Sequence, residues 1–263
     1  MAGDVIILGC GFTGSRVATL LARRGFPVTG VRRRDIDFTQ ADAAGALRDI
    51  LTPGCLVLHS IPSLPSGADA KLVPFLGESP RRVVYLSTTG VYGDQESVDE
   101  STQPQPHTQR GMDRLATEQA IRQGPWESLI LRPAAIYGPD RGVHVAMAQG
   151  RYALMGDGGN FISRIHVDDL AAIAAAAITS ELTGAFPVAD EHPCSAAEIA
   201  AFCSLRFGLP PAECAPLGAI PESRRTNRRV DGRAICRLLG IQLRFPSYRQ
   251  GIPACTGDEF QVS

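Results

Sequence analysis

The chain has 263 residues, of which 44% are hydrophobic and 20% are charged, and its formal net charge at pH 7 is -1. This composition is typical of a globular protein, and the near-zero net charge argues against nucleic acid or a membrane surface as a partner. The longest apolar run, AAIAAAAI near residue 175, is far shorter than the ~18 residues that a membrane span needs.

The seven cysteines are odd in number and include no Cys-x-x-Cys pair. Neither a disulfide framework nor a metal site is therefore predicted, and a reducing, cytoplasmic location is expected. The N-terminus becomes apolar at Val5 without a basic leader, so no signal peptide is predicted. Of the 26 basic residues, only Lys71 is a lysine, and all the others are arginine.

The first elements of the chain alternate between strand and helix. Residues 5–11, VIILGCG, form an apolar run that ends in glycine and is typical of a buried parallel strand. A helix is predicted from Thr13 to Arg24, because apolar residues recur at helical spacing and a glycine follows. Residues 27–33 are predicted as a second strand, and residues 35–40 are a candidate third strand after only a turn.

The later elements continue this alternation up to about residue 138. They are a helix at 41–51, a strand at 55–61, a short helix near 71–76, a strand at 81–89, a loop at 94–106, a helix ending near 123, a strand at 128–138, a helix at 168–179, a strand at 184–190 and helices at 195–208 and 233–240. This order favours an α/β fold with a Rossmann-like doubly wound parallel sheet and a small C-terminal lobe. We expect the Rossmann domain at 1–140 plus about 161–190, and a substrate-binding lobe at about 141–160 plus 191–263.

The turn after the first strand has the spacing Gly-x-Gly-x-x-Gly. Gly9 would make the tight turn, Gly11 would let a pyrophosphate approach the backbone, and Gly14 would let the helix pack on the strand. Phe12 and Thr13 lie at the helix N-terminus, where free N–H groups favour an anion. The motif predicts that these five residues bind a dinucleotide, and a purely structural glycine-rich turn is the alternative.

The second strand ends in three consecutive arginines, beginning with Arg32 and Arg33. An acidic residue at this place would hold the 2′-hydroxyl of NAD, whereas arginine favours the 2′-phosphate of NADP through charge and bidentate geometry. NADP is therefore the expected cofactor, and NAD is the less favoured choice. A solvated basic turn in an arginine-rich chain is the alternative.

The carboxyl ends of the predicted strands should line the cofactor cleft, because ligands bind outside that edge of an open parallel sheet. Ser60 and Ile61 end the strand at 55–61, while Thr88 and Pro133 belong to the two strands that follow. We expect all four residues to contact the dinucleotide.

Four further stretches carry a family resemblance. They are VVYLSTTGVYGD at 83–94, LRPAAIYGPDR at 131–141, SRIHVDDLAAI at 163–173 and VDGRAICRLLGI at 230–241. Together with the glycine motif they resemble the extended short-chain dehydrogenase/reductases, that is, the NAD-dependent epimerase/dehydratase group, and in particular its atypical YeeZ-like branch. The resemblance covers almost the whole chain and implies a nicotinamide cofactor. By analogy it also implies a homodimer that packs through the helices near 70–80 and 110–123.

The same resemblance implies a catalytic Ser or Thr and a Tyr-x-x-x-Lys motif on the next helix. Thr88 matches the Ser/Thr position, but Arg110 and Arg114 stand at the tyrosine and lysine positions. A guanidinium group, with a pKa above about 12, cannot exchange protons near neutrality, so the usual relay is absent. Tyr92 and His107 are the nearest titratable substitutes for the missing phenol.

The roles of these residues stay open at the sequence level. Arg110 and Arg114 are four residues apart and share a helix face. They form either a cationic clamp for a substrate carboxylate or phosphate, or a solvated face on which Arg114 pairs with Glu118. Thr88 either orients a substrate carbonyl or satisfies the nearby backbone.

Six arginines follow each other closely near the C-terminus, and they are Arg224, Arg225, Arg228, Arg229, Arg233 and Arg237. The resemblance implies that basic residues of this lobe meet a nucleotide-linked diphosphate, and exposed surface arginines are the alternative. A nucleic-acid patch is not predicted, because aromatic neighbours and a wider basic face are missing.

Two function hypotheses follow from these motifs. The first is an NADP-dependent oxidoreductase or epimerase/dehydratase-like enzyme with a non-standard active site and a small, anionic or nucleotide-linked substrate. The second is a catalytically inactive NADP-binding sensor or interaction module. The missing relay favours the second hypothesis, while the retained motifs around Thr88 and the separate lobe favour the first.

Overall fold

The computed structural model describes residues 3–40, 42–62, 68–221 and 224–256. The strands in chain order are β1 (Val5–Leu8), β2 (Val28–Val31), β3 (Cys55–His59), β4 (Pro80–Leu86), β5 (Ser97–Val98), β6 (Glu127–Pro133), β7 (Ala135–Tyr137), β8 (Ala153–Met155), β9 (Phe161–Ile162), β10 (Arg164–His166), β11 (Gly184–Val188), β12 (Cys194–Ser195), β13 (Glu213–Ala215) and β14 (Arg229–Val230). The helices are α1 (Gly14–Arg23), α2 (Ala43–Ile50), α3 (Ala68–Leu72), α4 (Gln109–Arg122), α5 (Val143–Ala148), α6 (Val167–Thr179), α7 (Ala196–Phe207), α8 (Arg233–Leu239) and α9 (Tyr248–Cys255).

A six-stranded parallel sheet forms the centre of the molecule, in the order β11-β6-β4-β3-β1-β2. Its inner strands are apolar and buried because helices cover both faces: α1, α6 and α8 pack on one side, and α2, α3 and α4 on the other. The predicted Rossmann-like, doubly wound parallel sheet is therefore confirmed.

Residues 35–40 are not a strand, so the prediction of a third strand at this place is wrong. The Asp35 carboxylate accepts the Arg32 amide at 2.8 Å, and the Asp37 carboxylate accepts the Thr39 amide at 3.1 Å. These short-range bonds satisfy the backbone locally and turn the chain before it can add to the sheet.

The predicted strand at 128–138 is two strands. β6 ends at Pro133, and β7 leaves the central sheet to pair with β10. Between them the Ala134 amide still donates to the Val188 carbonyl of β11, at 2.9 Å. The chain therefore passes from the sheet towards the lobe at this point.

A separate hydrophobic cluster from α5, α7 and α9 and from β7 to β9 forms the core of the lobe. Helix α7 is capped at its N-terminus by the Ser195 hydroxyl, which accepts the Glu198 amide at 3.0 Å, and Gly208 ends it in the left-handed conformation. Helix α8, expected in the lobe, instead packs on the central sheet through Ile235, with Cys236 and Leu239 against the same cluster. We therefore propose a lobe boundary that leaves α8 with the Rossmann domain.

Asp190 is buried where the end of β11 meets the lobe. Its Oδ1 accepts the His192 amide at 3.2 Å, while its Oδ2 has no hydrogen-bond partner among the described residues. Burial raises the pKa of Asp190 to about 7, so the fold favours the neutral carboxyl.

We expect Asp190→Asn to stabilise the protein progressively more, relative to wild type, as the pH rises from about 4 to about 7. Across this window Asp190 ionises in the unfolded chain but stays neutral in the folded protein, because its folded-state pKa is raised. The wild-type protein therefore loses stability as the pH rises, by up to about 4 kcal/mol once the pH is above the window. Chemical denaturation of both proteins at several pH values measures the difference. The exposed Asp49→Asn serves as control, and a pH-independent difference for Asp190→Asn would contradict the prediction.

Candidate functional site

A cleft of about 1450 Å³ runs along the carboxyl edge of the central sheet and continues to the lobe. Its volume exceeds the ~300–1,000 Å³ of a pocket for one drug-sized ligand, so it has room for two ligands side by side. Of the residues predicted to contact a cofactor, the following line it: Gly9, Gly11, Phe12, Thr13, Arg32, Arg33, Ser60, Ile61, Thr88 and Pro133. Gly14 does not line the cleft and lies behind the turn.

The three glycines of the first turn are required for different reasons. Gly9 has a φ of +87°, and a Cβ on it would lie 2.7 Å from the backbone of Ser60 and Ile61. A Cβ on Gly14 would lie 2.5 Å from the Gly9 carbonyl oxygen, so α1 packs closely on the turn. A Cβ on Gly11 would meet no protein atom within 4 Å and would stand in the cleft.

The N-terminus of α1 is open to the cleft. The amides of Phe12 and Thr13 make no backbone hydrogen bond within the described ranges, and Thr13 provides no side-chain cap. Arg16 is unavailable as an anion ligand, because it donates to the Phe12 carbonyl at 2.7 Å and to Asp168 at 2.9 Å. Backbone N–H groups therefore offer this turn to an anion, as a helix N-terminus in a dinucleotide-binding fold does.

Arg32 and Arg33 are exposed at the end of β2, on the rim of the cleft. Arg33 Nε lies 3.5 Å from an oxygen of Asp37. The hydrogen bonds from Thr39, together with the charge of Arg33, hold the pKa of Asp37 below its usual range. The Arg32 side chain makes no hydrogen bond or ion pair to any residue that the structure describes. Arg32 is therefore a cation at the cleft rim with its guanidinium available to a ligand.

Thr88 lies in the cleft and its hydroxyl satisfies the local backbone, as the second interpretation predicted. The first interpretation, that it orients a substrate carbonyl, stays a prediction. The Thr88 Oγ1 accepts the Gly90 amide at 3.1 Å and caps a short 3-10 turn, Thr89–Tyr92. The hydroxyl hydrogen has no acceptor in the described part of the chain, so it is available to a ligand.

Arg110 and Arg114 line the same cleft but differ in exposure and in hydrogen bonding. Arg110 is exposed and makes no hydrogen bond or ion pair with a described residue. Arg114 is buried, and its guanidinium donates to the carbonyl oxygen of Ile61 at 3.2 Å and to the hydroxyl of Tyr85. The interpretation of a solvated face is therefore wrong for Arg114, which ties α4 to the ends of β3 and β4.

Glu118 does not pair with Arg114, contrary to the sequence-based alternative. It is fully buried and accepts two hydrogen bonds from Arg132, from Nε at 3.0 Å and from the terminal nitrogen at 2.7 Å. It also accepts from the Ser87 hydroxyl at 2.6 Å. Sequence reasoning missed this cluster, although a charged residue inside the apolar run of β6 is a signal for a buried ion pair.

Tyr92 lies outside the cleft, and the hypothesis that it replaces the missing phenol is not supported. Its side chain is fully buried, and its hydroxyl accepts from Arg132 at 3.1 Å. Burial raises the pKa of Tyr92. The residue stabilises the loop after β4 and has no path to a ligand in the cleft.

His107 faces the cleft just before α4. Its Nδ1 lies 3.5 Å from a carboxylate oxygen of Asp94, which also lines the cleft. Sequence reasoning named His107 only as a nearby titratable group, because the approach of the two loops is not readable from the spacing.

The six C-terminal arginines do not form one patch. Arg224, Arg225 and Arg228 line the lobe end of the cleft. Arg229 instead stacks on Phe161, and Arg233 pairs with Asp231 on the surface. Contact between these basic residues and a nucleotide-linked diphosphate therefore stays a prediction, and it is limited to the first half of the run.

No group of three or more His, Cys, Asp or Glu side chains that could hold a metal ion occurs among the described residues. Within the same ranges, no helix combines the length and the apolar composition that a bilayer crossing requires.

Comparison with solved structures shows where this architecture recurs. A conserved protein of unknown function from Silicibacter pomeroyi DSS superposes with a TM-score of 0.78 and 29% identity, over 100% of both chains. MoeE5, solved in complex with UDP-glucose and NAD, has a TM-score of 0.78 and 22% identity, over 95% of this chain and 96% of its own. The second likeness shows the fold alone.

The sequence comparisons point the same way. A 3-diazoavenalumate denitrifying reductase from Streptomyces sp is 31% identical over 110 residues, which are 40% of this chain and 36% of that enzyme. The alignment thus spans little more than a third of that reductase. Residues 70–188 match the sequence profile of the NAD dependent epimerase/dehydratase family. Residues 70–188 therefore match that family over part of the chain, and the resemblance drawn from the motifs is confirmed.

Proposed function

We propose that the protein binds NADP(H) and acts as an oxidoreductase or epimerase/dehydratase-like enzyme on a small anionic or nucleotide-linked carbonyl or alcohol substrate. The observation that carries the proposal is the continuity of the cleft. One part of it holds an open anion-binding turn. The other holds the Thr88 hydroxyl hydrogen and the Arg110 guanidinium, both without a partner among the described residues, and a histidine beside a carboxylate.

The residues of the cleft fit a dinucleotide in a defined direction. The amides of Phe12 and Thr13 would receive the pyrophosphate, and Gly11 leaves the space that its approach needs. Arg32 would then meet the adenosine end, and Pro133 the nicotinamide end. When bound, the nicotinamide supplies or accepts hydride. The NAD in MoeE5, a neighbour in fold, supports a cofactor of this class.

An anionic substrate suits the charges on the remaining part of the cleft. Arg110 projects from the start of α4 without a partner in the described chain, and Arg224 and Arg225 line the cleft from the lobe. Arginine recognises carboxylates and phosphates through planar, bidentate hydrogen bonds. The UDP-glucose in MoeE5 supports the nucleotide-linked form of such a substrate.

A catalytically inactive NADP-binding sensor is the second candidate, and Arg114 is the observation that favours it. The Arg114 guanidinium stands at the usual lysine position and donates hydrogen bonds to the Ile61 carbonyl oxygen and the Tyr85 hydroxyl. The catalytic tyrosine whose pKa a lysine would lower at this place is missing from the helix. Stopped-flow absorbance of bound NADPH, mixed with a panel of carbonyl compounds and nucleotide sugars, separates the two. Loss of NADPH absorbance with any substrate rejects the sensor, and binding without loss across the panel favours it.

We expect Arg32→Ala to weaken NADPH binding by about tenfold or more and to leave NADH binding unchanged. The variant removes a charged hydrogen bond to the 2′-phosphate, worth about 1.5–3 kcal/mol, which NADH never makes. Isothermal calorimetry with both cofactors measures the ratio. Arg34→Ala is the matched control, since Arg34 is exposed in the same turn but does not line the cleft. Equal losses for both cofactors would contradict the assignment.

A further inference from the structure

The loops that end at Asp94 and His107 meet at the mouth of the cleft. We propose that His107, held beside Asp94, is the group that exchanges a proton with the substrate. This inference rests on the proposed function, because it assigns a step within the same cleft.

The position of His107 is fixed by close contacts between the two loops. The Gln105 amide donates to the Val91 carbonyl at 2.9 Å, which joins the segment before His107 to the turn after β4. Gly93, with a φ of +60°, lets the loops approach so closely that a Cβ on it would lie 3.3 Å from His107 Nδ1. The imidazole therefore lies against the residue next to Asp94.

The two ring nitrogens of His107 have different surroundings. Nδ1 faces the Asp94 carboxylate at 3.5 Å, whereas Nε2 has no partner in the described ranges. A carboxylate beside one nitrogen orients a histidine ring and leaves the other nitrogen to exchange a proton. Nε2 is thus the atom that would give a proton to the substrate or accept one from it.

Other protic side chains among the described lining residues are less suited to the exchange. Tyr152 lines the cleft, but burial raises the pKa of its phenol further from neutrality. His107 is the one imidazole among the described residues that line the cleft, and imidazole is the side chain that most often acts as a general acid or base. Tyr92 is buried elsewhere, and Arg110 and Arg114 cannot release a proton. Thr88 can donate a hydrogen bond to a substrate oxygen without ionising.

A reduced nicotinamide dinucleotide would be the reductant in the proposed step. In carbonyl reduction, hydride forms a C–H bond at the carbonyl carbon, and the C=O π electrons move to oxygen. His107 gives its Nε2 proton to that oxygen, becomes neutral, and regains a proton from water. In the oxidative direction, neutral His107 accepts the hydroxyl proton as hydride leaves for the oxidised nicotinamide.

Charged residues on the elements around His107 also line the cleft. Asp94 comes from the loop after β4, Arg110 from α4, and Arg228 from the segment before β14. Arg228 is buried and donates to the carbonyl oxygens of Thr89 and Gly93. The oxidised nicotinamide would add one positive charge to this set, and the reduced form would not.

The test measures protons released when NADP⁺ or NADPH binds, by calorimetry near pH 6.5 in MES and Bis-Tris, two buffers of different ionisation enthalpy. The pyridinium charge of NADP⁺ opposes protonation of a nearby imidazole, so we expect NADP⁺ to release a few tenths of a proton more than NADPH. Protons from the 2′-phosphate are common to both forms and cancel in the difference. His107→Gln should abolish the difference while both dissociation constants stay within about threefold of wild type.

His192→Gln is the matched control, because His192 also pairs with a carboxylate, Glu198, at 3.4 Å but does not line the cleft. It should keep the wild-type difference. Equal proton release with both cofactor forms, or a difference that survives in His107→Gln, would overturn the role of His107 and leave dinucleotide binding intact. No binding heat with either form would overturn the proposed function itself.

Discussion

Gly11→Ala is expected to lower the affinity for NADPH at least tenfold while the melting temperature stays within about 2 °C of wild type. A Cβ at Gly11 meets no protein atom within 4 Å, and the backbone there is not left-handed, so the fold accepts alanine. The same methyl group stands in the cleft, where a pyrophosphate must come within hydrogen-bond distance of the Phe12 and Thr13 amides. Calorimetric titration and a thermal melt on the same sample measure both quantities.

Two further glycine variants make this result specific. Gly45→Ala, in α2 and outside the cleft, also meets no atom within 4 Å, and should bind NADPH normally with about 0.5–1 kcal/mol of added stability. Gly14→Ala should lose both stability and binding, because its Cβ would lie 2.5 Å from the Gly9 carbonyl oxygen. Wild-type NADPH affinity in Gly11→Ala would show that the turn does not receive the phosphates.

The parts of the cleft that were readable from the sequence depend on short-range geometry. The glycine spacing of residues 9–14 and the strand before it define the turn almost alone, because φ is a local property and the atom that a Cβ on Gly14 would meet belongs to Gly9 in the same turn. The strand ends at Ser60, Thr88 and Pro133 follow from the rule for open parallel sheets, which needs only the element order. The structure places all of them around one cleft.

The contacts in the cleft that could not be predicted from the sequence depend on which helix face turns towards the sheet and on which loops meet. Arg110 and Arg114 are equivalent by spacing, yet one is exposed and the other is 5% exposed, because the ends of β3 and β4 supply carbonyl acceptors only at the second position. The pairing of Glu118 with Arg132 likewise joins α4 to β6 through the fold. The meeting of Asp94 and His107 joins two loops that no periodicity connects.

Glu118→Ala is expected to lower the free energy of unfolding by about 3–5 kcal/mol, the largest stability effect among these variants. The wild-type carboxylate is 0% exposed and accepts from Arg132 and Ser87, and Arg122 adds a third partner at 3.0 Å. Alanine leaves the Arg132 guanidinium, whose side chain is 4% exposed, without a counter-charge in the interior. Urea denaturation followed by circular dichroism measures the loss.

We expect the loss of stability to come from the buried, unpaired charge of Arg132 and not from the loss of the ion pair itself. A second variant separates these two causes. Glu118→Leu combined with Arg132→Met removes both charges and should regain a large part of the stability lost in Glu118→Ala, because an apolar pair avoids the desolvation of both ions. The control is Glu100→Ala, which breaks an exposed pair with Arg237 at 4.0 Å and should change stability by less than about 1 kcal/mol. If the double variant were less stable than Glu118→Ala, the buried pair itself would be a net source of stability, and Arg132 would matter to the fold beyond its charge.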